Sequence, residues 1–502
     1  MTSEFRREKQ RVGKVPVSTK MIQGVGAIPD TFKNFAFGTF LLLYYNQVLG
    51  MSAGLASLAL GIAVLFDAVT DPVVGSVSDN LKSPLGRRHP LMYLAALPLA
   101  ASLFLVFVPP DAVKAGGDWV LFAWVLFFSI LVRGSMTLFL VPWTSLMAEL
   151  SDDYAERTTI VTYRYLFGWI GGATFTVCTY TFIFPSSDEF SPGHLNPEPY
   201  PTFAAVLAVL VFAAVLFTTH FSRREIPYLI QPVDDTPRFS FARVFEELII
   251  ALRNRQFLIV FMAVLVGSTI GGGIGALDIY LNTYFWELTP EDLRWFQISI
   301  IGAVLAFAVV PWVQKSFDKK HIILVTFLFL LFDGIFIINL RFLDVLPDNG
   351  TNLLVIVLVA NSLIRTFAGT IYGIMGASIM ADILDYQEYM TGRRQEGMFF
   401  SAMSFSGKAT SGLGIVIAGF VIDLLQFPRG VNPSEVPDNM VTELGIAIGV
   451  VIPLLYLIPA ILFSVYRLTR SEHKRIHDAL QERRERALNG DLELGEIVDL
   501  RR

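Results

Sequence analysis

Charge is scarce in this chain, and cysteine is almost absent. Only 17% of the 502 residues are Asp, Glu, Lys or Arg, against roughly a quarter in an average soluble domain. The one cysteine, Cys178, excludes a disulfide framework and a cysteine-based metal centre, and its place in an apolar run makes it inert packing. A net charge of -5 leaves no global basic field, so nucleic acid is not expected as a partner. No Gly/Ser linker or polar tract divides the chain, although a soluble protein of this length would form about three domains. What fills it instead is apolar: 53% hydrophobic and 13% aromatic residues.

Crossing the hydrocarbon core takes about 20 largely apolar residues. Runs free of Asp, Glu, Lys and Arg recur along the chain: Phe35 to Phe66 (two spans and a turn), Pro90 to Pro110, Tyr165 to Ser187, Pro199 to Phe221, Gln256 to Leu277, Trp295 to Gln314 and Leu444 to Tyr466. Four more runs carry an interior charge, namely Trp119 to Ala148 with Arg133, His321 to Leu340 with Asp333, Asn352 to Ala381 with Arg365, and Met398 to Ile422 with Lys408. The pattern predicts an all-α membrane protein of twelve transmembrane helices. About thirty Lys and Arg fall in the N-terminus, the tail and the loops of one side, against Lys114, Arg294, Arg341 and Arg429 on the other. By the positive-inside rule both termini are expected in the cytoplasm. The segment before Met21 has no apolar core and reads as a basic arm, not a signal peptide.

The halves of the chain repeat. MAELSDDY from Met147 resembles MADILDY from Met380, and Gly86-Arg87-Arg88-His89 matches Asp318-Lys319-Lys320-His321 at nearly the same offset. This spacing predicts two six-helix halves, 21–222 and 256–466, between a cytoplasmic arm (1–20) and a charged cytoplasmic tail (467–502). The linker 223–255 contains Ser240 followed by FARVFEELIIALRNR, which reads as an amphipathic surface helix. Two such halves around a midplane site are the plan of secondary transporters.

An ionisable side chain at bilayer depth costs about 2.5 to 3.5 kcal/mol on insertion scales, so each one calls for a reason. Asp67 and Asp71 stand one helical turn apart on one face. Two like charges there share a proton, hold a hard cation such as Na⁺, or pair with Arg133 as a structural salt bridge. Thr137, one turn beyond Arg133, offers a neutral hydroxyl ligand or bonds its own backbone. Lys408, flanked by Ser406, Gly407, Ser411 and Gly412, suits a cavity as a substrate or carboxylate contact. Asp30 and Lys33 are spaced to pair with each other or to meet substrate, while Asp333 and Arg365 are left as structural. Trp143 and Trp169 are candidates to stack on a sugar ring, with lipid-facing packing as the alternative. Among the loop charges, Asp79, Arg87, Arg88, Asp382, Asp385 and Arg393, with Glu388, Arg394 and Glu396 beside them, are candidate gating salt bridges.

Asp67-Ala-Val-Thr-Asp-Pro72 and Met380-ADILDYQEYMTGRRQE-Gly397 resemble the glycoside-pentoside-hexuronide:cation symporters, the melibiose-permease-like branch of the major facilitator superfamily. The resemblance extends over roughly residues 20 to 466. It implies that Asp67 and Asp71 bind the coupling cation, that Thr137 is the helix-four ligand, placed by Val141-Pro142, and that Lys408 is the helix-eleven lysine. It places Thr70, a further candidate cation ligand, where the family's D-x-x-N-D motif has Asn, and makes Arg164, one residue from the sugar-binding arginine, and Asp30, near the helix-one aspartate, candidate substrate contacts. The chain departs from the pattern at Leu140, where melibiose permeases carry a sugar-binding aspartate, and at Val64, where they carry an arginine.

The expectation is a monomeric secondary transporter of a cell membrane, inner or plasma, that moves a sugar, glycoside or sugar acid with Na⁺ or H⁺ and uses no cofactor. A transporter of lysolipid or another amphiphile on the same fold is the first rival. A membrane-embedded enzyme or receptor is a weaker one, because no metal spacing and no nucleophile motif accompany the spans.

Overall fold

The computed structural model describes residues 5–7, 11, 13–151, 153–232, 249, 252–391 and 396–488. Eleven helices among them are long and apolar enough to cross a membrane. The twelfth expected span is the first. It runs as short pieces, Val17–Val25, Ile28–Phe35, and π-helical turns Ala36–Leu41 and Tyr44–Val48, and begins ahead of the boundary expected at Met21. Its charged residues are paired inside the helical pieces: Lys20 with Glu156 at 2.8 Å, and Asp30 with Lys33 at 2.9 Å. The remaining spans obey the apolar runs. Apart from a two-stranded ribbon, Phe5–Arg7 against Ile230–Pro232, the described residues are helix and connecting loop.

Helix ends are set locally. The Ser52 hydroxyl accepts from Leu55 N to cap the second span, Ala53–Asn80, and the Asp153 carboxylate accepts from Glu156 N to cap the fifth, Tyr154–Cys178. Pro72 and Pro142 lie inside the second and fourth spans, where missing backbone bonds are tolerated because neighbouring helices shield the freed carbonyls.

The chain forms two compact units that cut across the halves of the repeat. The first comprises Met1–Phe239 with Gly272–Gln297 and Gly412–Leu444; the second comprises Ser240–Gly271, Ile298–Ser411 and Gly445–Arg502. In the first unit, Ala53–Asn80 meets the later part of Glu396–Leu424 along a stripe of small residues. A Cβ at Gly61 would collide with Val416, and one at Gly419 with Ser57 and the Ala53 carbonyl. Glycine is what lets these backbones approach. At one end of this seam Asp423 accepts from Ser52 Oγ at 2.5 Å, Gly54 N at 2.8 Å and Ala53 N at 3.1 Å. Nearby, His194 is fully buried with Nε2 2.8 Å from Thr283 Oγ1, and burial pushes its pKa down to about 3.

The second unit closes around Phe257, Phe327, Met375, Ile379, Ile383 and Phe399. Its last helix, Arg470–Leu488, is highly charged, yet it contributes Ile476 and Leu480 to that core. The expected linker helix at Ser240 lies mostly outside the described residues. Large apolar side chains such as Leu97, Phe182, Trp312 and Val325 are exposed along the spans. In water they would be an aggregation hazard; in a bilayer they face solvent of their own polarity.

Candidate functional site

The second span presents Asp67 and Asp71 toward the fourth, Asp118–Leu150. Thr137, 1% exposed, sets its Oγ1 2.8 Å from Asp67 Oδ1 and 2.9 Å from Asp71 Oδ1. A hydroxyl has one proton and can donate to one carboxylate only. With both aspartates ionised, one of those two contacts is a bare oxygen–oxygen encounter. A proton or a cation among the three oxygens removes the conflict, and such charge is worth far more inside a membrane than in water. Arg133 Nη1 stands 3.6 Å from Asp67 Oδ2. It lies close enough to offset part of the negative charge of the pair. Thr70, in contrast, turns its hydroxyl onto the Asp67 carbonyl at 3.2 Å, within its own helix.

One turn further along the fourth span, Leu140, Trp143, Thr144 and Met147 form a wall of a cavity of about 590 Å³. Asp30 and Thr31 from the first span, and Arg164, Tyr165 and Trp169 from the fifth, complete it. The Arg164 guanidinium lies 3.6 Å from the centre of the Trp143 ring, a cation–π contact that holds both. Trp143 is 3% exposed and its indole N–H is buried without a hydrogen-bond partner. Asp30 accepts from Lys33 Nζ at 2.9 Å and from Asn34 Nδ2 at 3.0 Å, and its carboxylate remains one-third exposed. The structure therefore brings Asp30, Arg164, Trp143 and Trp169 to one cavity, with Leu140 in its wall. Lys408 is half-buried and belongs to the second unit.

The candidate gating residues fall into two matching clusters. In the first unit, Arg88 Nη2 lies 2.7 Å from Asp79 and 2.8 Å from Glu149, and Arg87 Nη2 also lies 2.8 Å from Glu149. In the second, Lys319 Nζ lies 2.7 Å from Asp382, and His473 Nε2 3.5 Å from Asp382 and 3.1 Å from Asp385. The members of the first cluster lie in the first unit and those of the second in the second unit. Arg393 and Arg394 lie outside the described residues, as does the side chain of Glu396. Glu149 was not singled out from the sequence, although it stands in MAEL where Asp382 stands in MADI. The repeat itself was the signal. Asp333 meets Asn361 at 2.6 Å and Arg365 at 3.7 Å, as a structural pair.

A multi-span helical protein with a polar cluster inside its spans and a cavity beside it is a membrane transporter. The chain belongs to the MFS/sugar transport protein family, whose model matches residues 22–470. That family consists of transporters and not enzymes, and its twelve-helix fold agrees with the eleven apolar spans and the segmented first. The isoprimeverose transporter of Lactiplantibacillus pentosus is 25% identical over 482 residues, covering 93% of this chain and 92% of its own. The sodium-dependent lysophosphatidylcholine symporter 1 of Gallus gallus is 24% identical over 516 residues, covering 95% and 92%. Among solved structures, the nucleoside transporter NupG superposes with a TM-score of 0.60 at 14% identity, over 90% of this chain and 98% of that one; at that identity the likeness is one of fold.

Proposed function

We propose that this protein is a cation-coupled symporter that carries a sugar, glycoside or sugar acid with Na⁺ or H⁺ across a cell membrane by alternating access. The observation that carries the reading is the single Thr137 hydroxyl within hydrogen-bond reach of two carboxylates inside the spans. Asp67, Asp71 and Thr137 are the ion ligands, with Thr70 supporting the helix turn that presents them. The adjoining cavity takes the solute. Arg164 and Asp30 bond its polar groups, Trp143 and Trp169 offer ring faces, and Lys408 is a further candidate contact for the substrate. The ion and the solute then raise each other's affinity by the same factor, as linkage requires. Both termini face the cytoplasm, the protein acts as a monomer, and Asp79, Arg87, Arg88, Asp382, Asp385 and Arg393 form the latch that opens between states.

The test is uptake into proteoliposomes across a panel of neutral glycosides, uronides and lysolipids, under imposed Na⁺ or H⁺ gradients. Accumulation of a glycoside or sugar acid driven by one of these ions is expected. The apolar wall formed by Leu140 and Met147, and the lysophosphatidylcholine symporter among its relatives, favour an amphiphile as the second reading; lysolipid uptake without sugar uptake would replace the first by it.

A further inference from the structure

The first compact unit takes in Gly272–Gln297 and Gly412–Leu444, although both segments belong to the second half of the repeat. The residues that stitch them to the first half gather at one end of the spans. Ala53–Asn80 runs from Ser52 toward the Gly86-Arg87-Arg88 loop, so Ser52 lies on the face opposite that loop. There the Gln47 amide donates to the Pro428 carbonyl at 3.1 Å, while its oxygen accepts from Tyr284 Oη at 3.0 Å and from Gly430 N at 3.2 Å. Tyr280 Oη donates to Asn46 Oδ1 at 3.0 Å. Arg429 Nη1 donates to the Gly50 carbonyl at 3.1 Å and lies 3.6 Å from Asp118.

Asp423 makes the tightest of these junctions. A helix begins with backbone N–H groups that have no partner inside it, and here the eleventh span, Glu396–Leu424, supplies one from the other half of the repeat. Asp423 accepts from Ala53 N, Gly54 N and Ser52 Oγ, and Ser52 Oγ in turn accepts from Leu55 N at 3.3 Å. The negative charge also complements the positive end of the helix dipole. Gly54 permits the approach, because a Cβ there would stand 2.7 Å from Asp423 Oδ2. Deeper in the seam Ser57 is fully buried, with its hydroxyl 3.2 Å from the Val416 carbonyl.

We propose that Asp423 is the latch of a gate on this face: its carboxylate caps the second span from the other half of the repeat while the face is shut, and releases it when the face opens. Rocking of two halves about a midplane site breaks the contacts between them at each face in turn. The Asp423 cap suits that duty. Its donors sit at the end of a helix, where water takes over the freed N–H groups once the carboxylate leaves, so opening strands no buried polar group. The proposal uses alternating access alone and depends on neither the coupling ion nor the solute.

Loop charge puts this face outside the cell, so the test is labelling of the full-length protein in intact cells by a membrane-impermeant maleimide. Ser57→Cys is the reporter, in a Cys178→Ala background because Cys178 is exposed. With Asp423 in place labelling is expected to be slow. Asp423→Asn keeps the shape of the side chain, removes its charge and sets an NH₂ group among donors, and should speed labelling of the reporter at least fivefold. Gly54→Ala displaces the carboxylate without altering its charge; it should act in the same direction, and it decides the matter should the Asn variant fail to reach the membrane. A Ser102→Cys reporter, fully buried within the first half, should stay slow in both variants. Unchanged labelling of the Ser57→Cys reporter, an equal rise at the Ser102→Cys reporter, or fast labelling with Asp423 in place overturns the latch. Uptake plays no part in this readout, so failure of the latch and failure of the symport reading are told apart.

Discussion

Thr137→Val tests the ion cluster with the least disturbance. Valine keeps the β-branch and nearly the volume of threonine at a position that is 1% exposed, so packing against the second span is retained and only the hydroxyl goes. That hydroxyl meets Asp67 at 2.8 Å and Asp71 at 2.9 Å. A hydrogen bond to a charged group contributes about 1.5 to 3 kcal/mol, which corresponds to roughly a 10- to 150-fold weaker hold on the ion at about 1.4 kcal/mol per decade. The half-saturating ion concentration for uptake should rise by that factor, while the maximal rate at saturating ion stays near wild type. Thr137→Ser restores the oxygen and should return the value to within a few-fold. The assay is initial uptake rate against Na⁺ concentration at fixed pH, and against external pH without Na⁺. An unchanged ion dependence in the Val variant would show that the hydroxyl only braces two helices.

Asp67→Asn or Asp71→Asn should abolish gradient-driven accumulation yet leave some downhill exchange, because the cavity around Arg164 is adjacent to the carboxylates and distinct from them; normal accumulation in both variants refutes the coupling role. Leu140→Asp adds an acceptor to the cavity wall and should improve competition by melibiose about tenfold or more, and no gain would mean that this wall does not meet the solute. Glu149→Gln leaves Arg87 and Arg88 without their shared buried carboxylate and should destabilise the detergent-solubilised protein by about 3 kcal/mol or more, read as a lower melting temperature. His194, with a pKa lowered to about 3 in the fold and near 6.5 when unfolded, stabilises the neutral-pH protein. Its contribution is complete above about 6.5 and is lost as pH falls toward 3, at up to about 1.4 kcal/mol per unit; His194→Gln should flatten the acid limb of a melting-temperature profile between pH 6 and 4.

The spans were legible because hydropathy over a 20-residue window leaves little choice in a bilayer. The first span was the exception: Lys20, Asp30 and Lys33 are each matched to a partner, and a window of hydropathy sees only their charge. Asp67 and Asp71 were legible as a pair because helical spacing alone stacks them. That Thr137 lies between them depends on how two helices pack, which spacing within one helix cannot say. The same holds for Trp143, placed under Arg164 by the contact of the fourth and fifth spans. Glu149 hid for another reason, since a carboxylate at the end of a span reads as solvated until its two arginines are seen across the loop.

The helix Arg470–Leu488, which follows the last apolar span, bears on how the chain is made. Membrane helices enter the bilayer in order of synthesis, but the core of the second unit contains Ile476 and Leu480, which follow the last apolar span in the chain. Until they arrive, Arg470 is not yet bonded to the carbonyls of Gln314 and Lys315, nor His473 to Asp385. The second unit thus waits, inserted and incomplete, for the segment that follows its last span. A chain cut after Tyr466 would retain every described span and still lack the piece that finishes its core, so insertion of the spans does not by itself complete the fold.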